Sequence, residues 1–505
     1  MQIERLISFL GLFAMMFFAW LMSSNRRKIN PRIIAGGLAL QFIFALLILK
    51  TEPGRATFDW LGSVFTSSLD YVESGADSIF RVYPPQTKDA AIPEASPAWV
   101  HPAILLRTFA FGVLPTIIFY SALMSVLYHL GLMQVVVRFF ALIMQKTLGT
   151  SGAETLSAAA NIFVGQTEAP LVIKPYVKGM TLSELNVVMV GGFATIAGGV
   201  LAAYVSFGID AGHLMTASVI SAPAALMIAK ILQPETEVPR TADGSAPDTE
   251  KTRCVNLVEA AAEGASSGLM LALNVGAMLI AFVALVAMCN GLIGWVGAIC
   301  VGEEAARVWT LERGFGYLFA PFAWLMGIPA DECLISGEIL GTKTVLNEFV
   351  AYLSLAGAKG LSPRTVTILT YALCGFANFS SIGIQLGGIG GIAPERRGDL
   401  AKLGLRAMLG GTLAAFMTAC IAGILIPADA EPVSETQQSE SQAATSTPPI
   451  SLPDVPCSRE GAELVSSDFP SGGLLREFTW LHDADRTEYN SRLKSCHLAH
   501  SAFLT

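Results

Sequence analysis

Eight stretches of this chain, at about residues 6–23, 33–50, 102–130, 186–209, 213–232, 268–298, 365–390 and 404–427, are long and apolar enough to cross a bilayer. That feature restricts the fold severely. In lipid every backbone N–H and C=O needs a partner within the protein, and only helices and closed barrels supply one. The runs have helical length rather than the alternating pattern of barrel strands, so an all-α polytopic membrane protein with eight transmembrane helices is expected. Composition agrees, with 53 % hydrophobic and only 14 % charged residues.

The cations Arg26, Arg27, Lys28 and Arg32 follow the first run, which puts that connection in the cytoplasm and the N-terminus outside. No small-residue cleavage site accompanies the run, so it reads as a retained span. Residues 1–100 then form a two-helix segment followed by an acidic, proline-containing external loop from 52 to 100. Arg138 and Lys146 flank spaced apolar residues, as in an amphipathic helix on the cytoplasmic face. A polar loop at 233–253 joins the two halves of a core that spans 101–427. Residues 428–505 carry −7 of the net charge of −8 and are polar and proline-rich, the composition of a disordered tail. Neither part is basic enough for nucleic-acid binding by phosphate neutralisation. No CxxC pair or HExxH spacing occurs among the eight cysteines and six histidines, which argues against a metal enzyme.

Two membrane-length stretches are too polar to face lipid. Residues 150–180 contain Asn161, Gln166, Thr167, Glu168 and Lys174; residues 312–352 contain Asp331, Glu332, Glu338, Lys343, Asn347 and Glu348. Charged or irregular backbone at membrane depth is tolerated only against protein or a water-filled cavity, so both read as re-entrant hairpins. Each precedes a polar-interrupted helix: Gly192-Phe193-Ala194-Thr195 follows the first, and Gly375-Phe376-Ala377-Asn378 the second. Hairpin and broken helix, repeated from opposite sides, form the inverted-repeat signature of a secondary transporter with a midplane site.

Within these stretches, Gln166, Thr167 and Glu168 offer amide, hydroxyl and carboxylate groups to a ligand with mixed donors and acceptors. The bland alternative pairs Glu168 with Lys174 or Lys178. Lys343 and Asn347, four residues apart, read as intrahelical support. Glu348, flanked by hydrophobic residues, is a second binding candidate, joined by Asn378 and Ser381; Ser380 reads as a hydroxyl bonded to its own helix.

At these residues the sequence resembles the concentrative nucleoside transporters, of the bacterial nucleoside permease type. GQTEAP at 165–170, GTKTVLNEFVAY at 341–352 and ALCGFANFSSIGI at 372–384 are similar to the signature blocks of that family, in family order. The resemblance implies eight transmembrane helices with two re-entrant hairpins, a homotrimer, a bacterial inner-membrane location and elevator-like transport without enzymatic chemistry or a cofactor. It implies that Gln166, Thr167, Glu168 and Val200 face the nucleobase. Glu348, Asn378 and Ser381 would hold the ribose hydroxyls, with Phe376 beside the ligand. A sodium ion would be held by Asn161, Val164, Thr195 and Ile196. A proton-coupled nucleoside symporter using Glu168 or Glu348, an intramembrane enzyme using paired carboxylates, and a channel are the alternatives.

Overall fold

Every regular element among the residues described by the structure, a computed structural model covering 2–80, 114–242, 254–302 and 309–426, is a helix. The tail at 428–505, the loop residues 81–100 and 243–253, and the first part of the third expected span, 102–113, lie outside the described residues. Helix α1 (Gln2–Leu21) and helix α2 (Pro31–Lys50) occupy the first two apolar runs. The start of α2 is chemically set: Pro31 is the first helical residue, and the Asn30 side chain accepts from Arg32 N.

The stretch expected as an external loop begins instead with α3 (Glu52–Phe80). Its acids and prolines are averaged over 52–100, which hides a stripe at three- and four-residue spacing. Phe58, Leu61, Phe65, Leu69, Val72 and Ala76 all turn inward. Phe65 stacks on Tyr120 with centroids 4.4 Å apart.

Helices α4 (Leu114–His129) and α5 (Leu132–Leu148) meet at a 78° bend. In α5 the buried residues Met133, Val137, Ala141, Met144 and Leu148 form one face, as its amphipathic pattern requires. The polar stretch after it folds into α6 (Gly152–Ala160), a turn, and the short helices α7 (Ala169–Val172) and α8 (Lys174–Val177). Helix α9 (Leu182–Ala194) starts at a capping box of Thr181 and Glu184, stops at Thr195, and continues as α10 (Gly198–Ser206). Helix α11 (Ala211–Leu232) and the 45-residue α12 (Leu257–Val301) follow.

The second polar stretch contains α13 (Leu311–Leu325), α14 (Cys333–Val345) and α15 (Glu348–Gly357). Helix α16 (Pro363–Leu373), capped by Ser362, breaks at 374–378 and resumes as α17 (Phe379–Ile392), before α18 (Arg397–Leu425). The last apolar runs therefore yield one broken and one continuous helix. Among the described residues six helices are long and apolar enough to cross a membrane, or up to seven if the bent pair is one span. The count falls short of eight where α16 and α17 are each too short and where the third run leaves the described residues.

Burial sorts the apolar helices by solvent. In α9–α10, α11 and α18 at least 83 % of the most apolar window is buried, against 28 % in α1 and 12 % in α12. Helices apolar on all sides are either core or lipid-facing, and here both kinds occur. Where α12 crosses α4 it uses Gly264 and Gly268. A Cβ at either would stand 2.6 Å from the Ser121 carbonyl oxygen or 2.8 Å from Ile118 Cα, so this small-xxx-small spacing lets the two backbones touch.

Candidate functional site

Four interruptions of helical backbone converge at the centre of the protein. Each leaves carbonyls and amides unbonded within its own helix, a cost accepted inside a membrane protein only where neighbours or a ligand satisfy them.

The first is the turn after α6. Asn161 ends that helix, and Glu168 N and Ala169 N both bond back to Gly165 O, which starts α7 with Pro170 in its first turn. The second is the gap between α9 and α10, where Thr195 adopts extended backbone. Gly198 N donates to Phe163 O at 3.0 Å and so ties the two interruptions together.

The third is the gap between α16 and α17. It crosses the second, with Phe376 N donating to Thr195 O at 3.3 Å. Gly375 makes the crossing feasible: its φ is 156°, and a Cβ there would lie 2.7 Å from Phe193 O. The two GFA segments thus meet, but not at equivalent positions. Residues 192–194 are the end of α9, whereas 375–377 are the break itself.

The fourth interruption is at Leu346 and Asn347, between α14 and α15. The Asn347 side chain caps α15 by accepting from Val350 N. Lys343 and Asn347 therefore do not share a helix, and the expected intrahelical support is absent. Buried Lys343 donates instead to Ala372 O, at the C-terminal end of α16, where a cation is favoured by the helix dipole.

Glu348 opens α15, so its buried carboxylate sits at a helix N-terminus, which favours negative charge. It accepts from Tyr204 Oη at 3.0 Å and from Asn378 Nδ2 at 3.1 Å. Asn378 is in turn the N-cap of α17, accepting from Ser381 N at 2.9 Å. Ser381 Oγ receives Gln166 Nε2 at 3.1 Å. Gln166, Ser381, Asn378 and Glu348, far apart in sequence, thus form one continuous hydrogen-bonded chain.

Thr167 Oγ1 lies 3.3 Å from Glu168 Oε1 on the exposed side of the turn. The alternative pairing of Glu168 with a lysine is not seen: Lys178 pairs with Glu395 at 3.3 Å, and among the described residues no ion pair joins Glu168 to Lys174. Ser380 Oγ donates to Asn378 Oδ1 at 2.7 Å rather than to a carbonyl of its own helix. Val200 is buried in the first turn of α10 and Phe376 half-buried in the third interruption, both outside the polar chain.

Two members were not picked out from sequence. Tyr204 is fully buried, with its ring 4.5 Å from that of Tyr352, and Gln385 donates to Gln166 Oε1 at 3.1 Å. An amide in the otherwise apolar Ile384-Gln385-Leu386 is the kind of intramembrane polar residue that marks a site, and four-residue spacing from Ser381 puts both on one face.

Beside the polar chain, Asn161 is 1 % exposed, yet neither amide atom of its side chain has a hydrogen-bond partner. Thr195 Oγ1 donates to Gly191 O at 2.9 Å and keeps its own lone pairs free. An orphaned amide oxygen, a hydroxyl oxygen and the carbonyls of a helix break form a set of hard oxygen donors that fits a hard cation. Among the described residues no cluster of three His, Cys, Asp or Glu side chains fit for a transition metal occurs.

The helix breaks gather these polar groups into one candidate binding site. Comparison with known proteins says of which kind. Three family models match: Na+ dependent nucleoside transporter N-terminus at residues 10–82, nucleoside recognition ("Gate") at 110–211, and Na+ dependent nucleoside transporter C-terminus at 213–423. An uncharacterized transporter, YutK, of Bacillus subtilis (strain 168) is 46 % identical over 418 residues, covering 83 % of this chain and 98 % of its own. Solute carrier family 28 member 3 of Eptatretus stoutii is 43 % identical over 438 residues and 84 % of this chain; the chain spans 61 % of that relative's length. CNTnw in an inward-facing substrate-bound state superposes with a TM-score of 0.74 at 40 % identity, over 84 % of this chain and 98 % of that one.

This is a multi-pass membrane protein of transporter type, not an enzyme. It belongs to the Na+-dependent, or concentrative, nucleoside transporter family.

Proposed function

We propose that the chain is a sodium-coupled symporter that imports nucleosides across the cell membrane, with Glu348, Asn378 and Ser381 on the ribose and Gln166, Thr167 and Glu168, lined by Val200, on the base. The observation that carries this reading is the chain from Gln166 to Glu348. Its polar groups are aligned and hydrogen-bonded to one another. A ribose diol donates to the Glu348 carboxylate and accepts from the Asn378 amide, replacing bonds of the same kind, so binding leaves no buried group unpaired. Phe376, half-buried in the helix break, packs beside the ligand.

The coupling ion is held by the Asn161 amide oxygen, the Thr195 hydroxyl and the carbonyls of Val164 and Ile196. Asn161 belongs to the same turn as Gln166, so a cation there orders the segment that presents Gln166 to Glu168. By linkage, each ligand then raises the affinity of the other equally, typically by about 1–3 kcal/mol. One sodium ion entering down a potential of about 100 mV releases roughly 2.3 kcal/mol, enough for uphill import.

Motion of the two polar stretches, acting as re-entrant hairpins, against a scaffold within a homotrimer would carry the site across in an elevator-like step. Support comes from the substituted CNTnw in an outward-facing state, which superposes with a TM-score of 0.75 at 40 % identity over 84 % of this chain and 98 % of that one. CNTnw thus has structures facing inward and, with substitutions, facing outward, which supports this reading.

Uptake of labelled uridine into cells expressing the chain should exceed uptake of uracil at least tenfold and should collapse when sodium is replaced by choline. Equal uptake of base and nucleoside would refute the ribose assignment. Uptake indifferent to sodium but driven by an acid exterior would favour proton coupling. Asn161→Ala should raise the sodium concentration for half-maximal uptake about tenfold or more, with substrate binding largely restored at saturating sodium. An unchanged sodium curve would remove Asn161 from the cation site.

A further inference from the structure

Gln385, which the proposed function does not use, is fully buried in α17 and carries the argument further. Its amide nitrogen lies 3.1 Å from Met189 O and 3.1 Å from Gln166 Oε1. A backbone carbonyl only accepts, so the group of Gln385 that faces Met189 must be its NH2. Both hydrogens are then committed, one to Met189 and one to Gln166.

The partner atom on Gln166 must therefore be the amide oxygen, because two NH2 groups cannot pair. This turns the Gln166 NH2 to the opposite side, where it donates one hydrogen to Ser381 Oγ and keeps the other. The arrangement leaves Gln385 Oε1 buried without a partner, an unfavourable but lesser cost. Reversing the amide would set that oxygen against Met189 O and be worse. Close packing enforces the geometry: a Cβ at Gly192 of α9 would stand 2.8 Å from both Gln166 Cβ and Gln385 Nε2.

We propose that Gln385 is a positioning residue that fixes the amide polarity of Gln166, so that Gln166 meets the substrate as a hydrogen-bond donor and selects bases presenting an acceptor. The inference rests on the nucleoside reading of the site. Its specificity consequence is that, of two pyrimidine nucleosides with the same ribose, the one with a carbonyl at the variable ring position binds better than the one with an amino group.

Gln385→Glu tests this. A protonated carboxyl at 385 donates its O–H to Met189 O and accepts from the Gln166 NH2 with its other oxygen, which turns that amide around and presents its oxygen to the ligand. The ratio of KM for cytidine to KM for uridine should fall about tenfold, the worth of one hydrogen bond of ~1.4 kcal/mol. Gln385→Met, which keeps the volume and removes both N–H groups, should move the ratio toward one and carries the test if the glutamate variant does not reach the membrane. A ratio within twofold of wild type in a variant that still transports would overturn the proposal and leave Gln385 as packing. Wild-type protein that takes up neither nucleoside would overturn the proposed function, and this inference with it.

Discussion

Replacing Glu348 by glutamine should lower kcat/KM for nucleoside uptake by about 100-fold or more at normal surface expression, because hydrogen bonds to a charged group contribute about 1.5–3 kcal/mol each. The carboxylate has two donors aimed at it, Tyr204 Oη and Asn378 Nδ2. Glutamine offers one acceptor and one donor in the same place. It therefore removes the charge and can keep only one of the two bonds in its present direction, the Tyr204 hydroxyl having to turn and accept if the amide oxygen faces Asn378. The loss should appear for every nucleoside that keeps its ribose hydroxyls, since the proposed function puts the base toward Gln166 and the ribose on Glu348. Glu348→Asp, which keeps the charge but shortens its reach, should lose less. Initial rates of labelled uridine uptake, normalised to surface protein, provide the check. A glutamine variant within threefold of wild type would show that the carboxylate is a structural tie between α15, α10 and α17.

The candidate site residues are legible because their chemistry is costly elsewhere in an apolar protein. Glu168 and Glu348 stand out as carboxylates in apolar surroundings, and Asn378 as an amide in mid-span. Less visible was how they are held. Glu332, another acid of the same polar stretch, is held structurally: its oxygens accept from Ser362 N and Oγ at 3.1 Å and tie the start of α16 to α14. Sequence spacing also assumed that helices continue through Lys343 and Asn347. The backbone breaks between them, and asparagine acts as a cap. A capping asparagine and a helical one are the same letter, and only the break distinguishes them.

Tyr204 and Gln385 were missed for a related reason. A buried phenol such as Tyr204 needs only a partner, whereas a carboxylate in hydrocarbon demands an explanation; Gln385 carries the same signal as Asn378 but lies one residue past the block at 372–384. Fold-level features followed the same division. Long apolar runs at 33–50 and 213–232 became continuous helices, the second of them through Pro223. The stretch 52–80 reads as loop because acids interrupt its apolar stripe in the sequence, although it folds as α3.

The other large effect should come from a residue remote from the ligand. Lys230, two residues from the end of α11, is 5 % exposed. Its ammonium lies 2.7 Å from Glu154 Oε2, 3.1 Å from Glu235 Oε2 and 3.0 Å from Ser183 Oγ. These groups join the start of α6, the start of α9 and the loop after α11. Ser151 Oγ adds a bond to Glu184 Oε1 at 2.5 Å, so the first residues of both α6 and α9 are gripped by one network.

Lys230→Met keeps the length of the side chain and removes its charge. Glu235 retains access to water, but Glu154 is 1 % exposed, and its Oε2 has no other partner. Breaking a buried pair from one side typically costs about 3–5 kcal/mol, because the remaining charge is left in low dielectric. The single variant should therefore melt well below wild type in detergent and fall in yield. Lys230→Met combined with Glu154→Gln should recover much of the loss, since a neutral amide needs hydrogen bonds rather than a counter-charge. Recovery in the double variant identifies the unpaired carboxylate as the source of the damage. An equal loss in single and double variants would instead assign the effect to the contacts of Lys230 with Glu235 and Ser183, placing the grip on α9 and the loop rather than on α6.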